Sequence, residues 1–223
     1  MKIAVVGASG QTGPCIIEEA LSRGHDLIAI CRSPEKMPIA DPKVEVRKAD
    51  AYDAAEVKAA LEGADAVVTT VGATNLSEKG PLNTAAHRNV IDAMKALGQD
   101  RLIAISSFGA ARGVKRKGLR RKIYLWIRRK YYQDMMLMEE MVAAESPGAT
   151  ILRVPSLHNR VPLRTYIKSV DGTLPDGLAL SRKDLAHYVL DALEKDLDRG
   201  KVAAIVDEGS ALPPMREVMP PKR

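Results

Sequence analysis

Along the chain, short β-branched apolar runs alternate with longer stretches in which apolar residues return every three or four positions. The runs Ile3-Ala4-Val5-Val6 and Leu27-Ile28-Ala29-Ile30 lack polar alternation, as expected of strands covered on both faces of a parallel sheet. The pattern predicts strands near Lys2 to Val6, Asp26 to Ile30, Val44 to Arg47, Ala66 to Thr70, Leu102 to Ser106, Thr150 to Arg153 and Val202 to Val206, with helices between them. Leu82, Ala85, Ala86, Val90, Ala93, Met94 and Leu97 define one face of a helix over 81–97, closed by Gly98. Ser181 reads as the N-cap of a late helix carrying Leu185, Tyr188, Val189, Ala192 and Leu193 inward. Strands alternating with helices and joined by right-handed crossovers predict an α/β, doubly wound parallel sheet.

At 223 residues, with 46% apolar and 28% charged positions, the chain has the composition of one folded domain. That domain is expected over residues 1–211, followed by a proline-rich tail at 212–223. No window approaches the roughly 20 apolar residues of a membrane helix, and Met1-Lys2 runs into a strand without a signal-peptide core. A cytoplasmic protein is expected, with Cys15 and Cys31 as reduced thiols because they lack a redox or metal-binding spacing. The four histidines, His25, His87, His158 and His187, have no ligand spacing, and no metal site is expected.

The net charge of +6 is concentrated in one segment. Residues 112–130 hold ten basic side chains and no acid, whereas the remainder carries 24 basic and 28 acidic residues. Leu119, Ile123, Trp126 and Ile127 fall on one helical side of this segment, with Arg121, Lys122, Arg128 and Arg129 mostly opposite. Three readings stay open: a solvated helix face, a lid supplying cations to an anionic substrate, or attachment to an anionic membrane surface or acidic partner. No nucleic-acid partner is expected, because no binding motif accompanies the charge.

The most informative motif is Gly7-Ala8-Ser9-Gly10-Gln11-Thr12-Gly13, between the first strand and a helix beginning near Thr12. Glycines there permit a tight turn and close approach to a pyrophosphate, and the helix N-terminus offers unpaired N–H groups. A strand before it, a helix after it and a second strand on time give the motif the context of dinucleotide binding. Beyond that second strand stands Arg32, with Ser33 and Lys36, where an NAD-selective protein would place an acid on the ribose hydroxyls. An arginine there pairs with a 2′-phosphate, so NADP(H) is the expected cofactor.

With this loop, Arg32, Ala49-Asp50, Val71-Gly72-Ala73, Ile105-Ser106-Ser107 and Thr150 to Pro155 in order, the chain resembles the atypical short-chain dehydrogenase/reductases. Within them it is similar to the flavin reductase or biliverdin-IXβ reductase type and to NmrA-like NAD(P)-binding proteins. The resemblance implies a single Rossmann-type domain. It places Gly7, Ser9, Gly10, Gln11, Thr12 and Gly13 on the pyrophosphate, and Arg32 and Ser33 on the 2′-phosphate. Asp50 and Ala51 would lie by the adenine and Val71, Gly72 and Ala73 along the ribose, with Ser106, Pro155 and Ser156 as further cofactor contacts, although strand alternation points Ser106 into the sheet. Ser107 matches the serine beside nicotinamide and substrate, with Tyr132 and His158 as further candidates for the substrate pocket.

Two departures from the family pattern bear on the chemistry. Tyr132 occupies the tyrosine of a Tyr-x-x-x-Lys pair, but Met136 replaces the lysine, removing the cation that makes such a tyrosine an effective proton donor. Ser156 stands where the flavin reductase has a histidine, with His158 two residues on. Hydride transfer to a planar acceptor such as a flavin, a biliverdin-like tetrapyrrole or a quinone needs orientation more than a dedicated acid. The expected function is therefore an NADPH-dependent reductase of such an acceptor, acting as a monomer or small homo-oligomer. The alternative is a non-catalytic NADP(H)-binding redox sensor.

Overall fold

A computed structural model describes residues 1–72, 82–111, 128–170 and 178–211. Ala73, most of the basic segment (112–127) and the proline-rich tail (212–223) lie outside the described residues. The strands are β1 (Lys2–Val6), β2 (Asp26–Cys31), β3 (Val44–Lys48), β4 (Ala66–Thr69), β5 (Leu102–Ser107), β6 (Thr150–Val154), β7 (Ser156–His158), β8 (Tyr166–Ser169), β9 (Ala179–Ser181) and β10 (Val202–Asp207). The helices are α1 (Gly13–Ser22), α2 (Ala54–Leu61), α3 (Leu82–Ala96), α4 (Arg129–Glu145) and α5 (Arg182–Glu194).

The main sheet runs β3-β2-β1-β4-β5-β6-β10-β8, parallel throughout except for β8, which pairs antiparallel with β10 at the edge. The chain winds outward from β1 to β3, returns to β4 and winds the other way, giving a Rossmann-type sheet with its switch point between β1 and β4. Ile3 and Val5 face the α1/α5 layer with Leu27 and Ala29, whereas Ala4 and Val6 face the α2/α3/α4 layer with Ile28 and Ile30. β1 and β2 are therefore apolar at successive positions because helices cover both faces. Among the described residues, no helix is long and apolar enough to cross a membrane.

The seven expected strands form with ends shifted by at most one residue. The three short strands β7, β8 and β9 carry too few residues to leave a periodic signal, and β8 makes the sheet mixed at its edge. The buried face of α3 is also rotated from the expected one. Ala85 is exposed, while Asn83 and His87 point inward. Their polar groups have partners there: Asp134 on α4 accepts from the Asn83 and Thr84 amides, and His87 lies between the Asn83 carbonyl and the Thr69 hydroxyl, both at 2.8 Å.

Candidate functional site

Most of the expected site residues follow β-strand ends, so the parallel sheet brings these to one end of the sheet. From β3 to β6 the carboxyl ends present Asp50, Arg32, the glycine loop, Val71-Gly72, Ser107 and Pro155-Ser156 in that spatial order. Six adjacent strands at roughly 4.8 Å spacing extend this line over about 24 Å. It crosses the switch point, where an open α/β sheet forms its binding crevice.

At the centre, Gly7 has φ +90° and lies beneath the end of β4, where a Cβ would stand 2.7 Å from Thr70 Oγ1. Gly13 begins α1 against the loop itself, with a Cβ position only 2.3 Å from the Ala8 carbonyl oxygen. The amides of Gly7 and Ala8 both donate to the Ile30 carbonyl at 3.0 Å, Gly10 N donates to the Gly7 carbonyl, and Thr70 Oγ1 lies 3.1 Å from the Val6 and Gly7 carbonyls. This lattice holds the loop against β2 and β4. Thr12 gives α1 no side-chain cap, so the amides of its first turn face the crevice end without that competitor. A narrow glycine cradle and an uncapped helix N-terminus fit a dinucleotide pyrophosphate.

The residues around the loop have distinct settings. Cys31, at the end of β2 beside the loop, is buried, and burial pushes its thiol pKa up. Arg32 is exposed at the end of β2 and forms no ion pair with a described residue; Ser33 starts the short turn beyond it. Asp50 receives the Tyr52 amide at 3.1 Å, and the Ala51 carbonyl accepts from Asn89 at 3.0 Å, which fixes the turn after β3.

On the other side, Ser107 caps a short helical turn and accepts the Gly109 amide at 3.1 Å, leaving its own O–H as a donor. The Tyr132 ring packs against Gly109 in that turn, which brings Tyr132 to the turn that Ser107 caps. Its neighbour Tyr131 was not singled out by the sequence. The Tyr131 hydroxyl stands 3.8 Å from the Cβ position of Gly72, the two rings meet edge to face at 5.4 Å, and the Arg128 guanidinium lies 4.5 Å from the centre of the Tyr131 ring. The adjacent tyrosines were visible, but which one turns toward Gly72 depends on how α4 enters the fold.

Two expected contacts are corrected. Ser106 faces away from the crevice and donates its hydroxyl to Glu139 at 2.5 Å, while Arg153 binds the same carboxylate at 2.7 Å. Strand alternation directs Ser106 to this buried network and Ser107 to the edge. His158 is buried as well. Pairing of β7 with β9 turns it toward β10, where Nε2 donates to Asp207 at 3.0 Å and Nδ1 accepts the Arg160 amide at 3.2 Å. With both ring nitrogens engaged internally, His158 serves the fold. Burial raises the pKa of its partner Asp207.

Another side chain unmarked by the sequence reaches the glycine loop. Arg182, in the first turn of α5, is 4% exposed and donates to Gln11 Oε1 at 2.5 Å and Asn159 Oδ1 at 2.8 Å. Burial lowers its pKa. The packing of α1 against α5 makes this bridge possible across 171 positions of sequence.

Comparison with known proteins agrees with this geometry. A family model for NAD(P)H-binding proteins matches residues 7–196. An uncharacterized chloroplastic protein of Arabidopsis thaliana is 27% identical, over 94% of this chain and 78% of that protein. Cinnamoyl-CoA reductase 1 of rice is 30% identical over 48% of this chain, a match spanning only 35% of the reductase. Among solved structures, ChuY, an anaerobillin reductase from Escherichia coli O157:H7, aligns with a TM-score of 0.80 at 21% identity, covering 96% of this chain and 100% of that one. A Veillonella parvula short-chain dehydrogenase/reductase in complex with NADP aligns with a TM-score of 0.77 at 17% identity, covering 93% and 95%. At these identities the solved structures establish the shared fold.

Proposed function

From the premise that the chain belongs to the NAD(P)H-binding family, we propose that it is an NADPH-dependent reductase of a planar conjugated acceptor, such as a flavin, a tetrapyrrole or a quinone. The observation that carries this reading is the continuous line of strand ends with a glycine cradle at its centre, Arg32 on one side and Ser107 on the other. Bound NADPH supplies a hydride. The chain supplies orientation: the start of α1 and the loop amides not already engaged within the loop hold the pyrophosphate, Asp50 and Ala51 border the adenine, and Arg32 with Ser33 receives the 2′-phosphate.

Val71 and Gly72, with Ala73 following, border the ribose, and Pro155 and Ser156 frame the nicotinamide end. Ser107 Oγ accepts a hydrogen bond from Gly109 N–H, which leaves its own O–H to donate outward, where an acceptor carbonyl or ring nitrogen is steadied. The proton that completes reduction comes from solvent. ChuY, an anaerobillin reductase that shares this fold, supports the tetrapyrrole class.

Met136 in place of a lysine favours a second reading, an NADP(H)-binding redox sensor without turnover. Incubating the protein and NADPH with FMN, riboflavin, biliverdin or a simple quinone separates the two. Consumption of NADPH with one acceptor class supports the reductase. Stoichiometric binding with every acceptor left intact would replace it with the sensor.

A further inference from the structure

Arg182 contacts the glycine loop through a side chain, not the backbone. Its Nη2 donates to Gln11 Oε1 at 2.5 Å, and its Nη1 donates to Asn159 Oδ1 at 2.8 Å. The arginine itself is held by its surroundings. Ser181 caps α5 by accepting the Lys183 amide, and Asp184 accepts the Leu163 and Arg164 amides, fixing the loop that follows Asn159. Two carbonyl oxygens from separate elements therefore fix the plane of a guanidinium that is almost completely buried.

A glutamine amide has an acceptor end and a donor end of nearly equal shape, and an exposed glutamine is free to present either. Arginine has donors only. A guanidinium against Gln11 therefore leaves one arrangement, with Oε1 toward Arg182 and the Nε2 donors turned away from it. Gln11 lies between Gly10 and the start of α1, where the loop is expected to meet a pyrophosphate.

We propose that Arg182 is a positioning residue for the dinucleotide, dictating that Gln11 presents its amide donors, and not its carbonyl, to the phosphate side of the loop. The inference rests on the cofactor reading above and deepens it. Without Arg182, Gln11 can turn its carbonyl oxygen toward an anion, which repels it. The chain thereby uses a late helix to set the polarity of its first loop.

A double-mutant cycle on NADPH binding by the purified full chain tests this, using wild type, Arg182→Met, Gln11→Ala and the double variant, with the melting temperature of each free protein measured alongside. Each single substitution is expected to weaken NADPH binding about tenfold, the size of one charge-assisted hydrogen bond. The double variant should also lose about tenfold, because Arg182 acts through Gln11. An Arg182→Met protein that binds NADPH like wild type overturns the inference. So do losses that multiply in the double variant, since they place the arginine's effect elsewhere. Should Arg182→Met fail to fold, Arg182→Gln carries the same expectation, because a second amide no longer dictates the orientation of the first. Wild-type protein that binds neither NADPH nor NADH would instead overturn the cofactor reading itself, a result distinct from selective failure of the arginine variants.

Discussion

Tyr132 occupies the space that a side chain at Gly109 would need: a Cβ on Gly109 would lie 1.8 Å from Tyr132 Cε1. This contact joins the first turn of α4 to the turn capped by Ser107. Gly109→Ala must push the ring away and disturb the amide that Ser107 accepts. Reductase turnover is expected to fall at least about tenfold, with a stability loss of about 1–3 kcal/mol from overpacking. Steady-state kinetics and denaturant unfolding measure the two effects; unchanged turnover would detach this turn from the site.

Arg32 is the cation at the ribose end of the proposed cofactor track. Arg32→Ala should weaken NADPH binding about tenfold or more while changing NADH binding less than about threefold, the signature of a lost 2′-phosphate contact. Parallel titrations with the two dinucleotides read this directly. Equal losses would remove Arg32 from the 2′-phosphate.

Ser107→Ala keeps the backbone path of β5 but removes both the cap and the outward hydroxyl. Turnover is expected to fall roughly tenfold, with NADPH affinity held within about threefold, because the substitution affects acceptor orientation more than the pyrophosphate cradle. Separate measurements of dinucleotide binding and turnover distinguish these terms. An affinity loss as large as the rate loss would place Ser107 on the cofactor instead.

His87 supplies a pH prediction. Burial is the largest influence on this imidazole and lowers its pKa, favouring the neutral form that sits between Thr69 and Asn83. The unfolded chain takes up the proton more readily, so this contribution to stability is present above about pH 6.5 and diminishes as pH falls below it. Melting temperature should drop between about pH 7.5 and pH 5.5, and less steeply in His87→Gln, although that variant starts lower because its buried contacts are weakened. Identical slopes would assign the acid sensitivity to another group.

The fold was legible because the parallel sheet writes itself into the chain: Ile3 with Val5, and Ala4 with Val6, are apolar because each pair meets a different helical layer. The glycine loop was legible for a related reason, since Gly7 and Gly13 occupy places where neighbouring backbone or side-chain atoms leave no room for a Cβ. Relations between distant segments left no comparable local mark. His158 appeared available until β7 paired with β9 and turned it toward Asp207. The motif spacing marks Tyr132 and not Tyr131, and only the entry of α4 directs Tyr131 toward Gly72 and Tyr132 onto Gly109. Arg182 likewise becomes informative only when α1 and α5 lie side by side.

The proposed reaction is hydride delivery from NADPH to a planar acceptor. Its most direct test is a single turnover with NADPH carrying deuterium stereospecifically at the nicotinamide C4, followed by mass analysis of the reduced acceptor. For an acceptor that retains the transferred hydrogen at carbon, such as biliverdin, one deuterium from one face of the nicotinamide is expected in the product. NADPH that binds stoichiometrically and keeps its deuterium through exposure to flavins, tetrapyrroles and quinones would rule out the reductase.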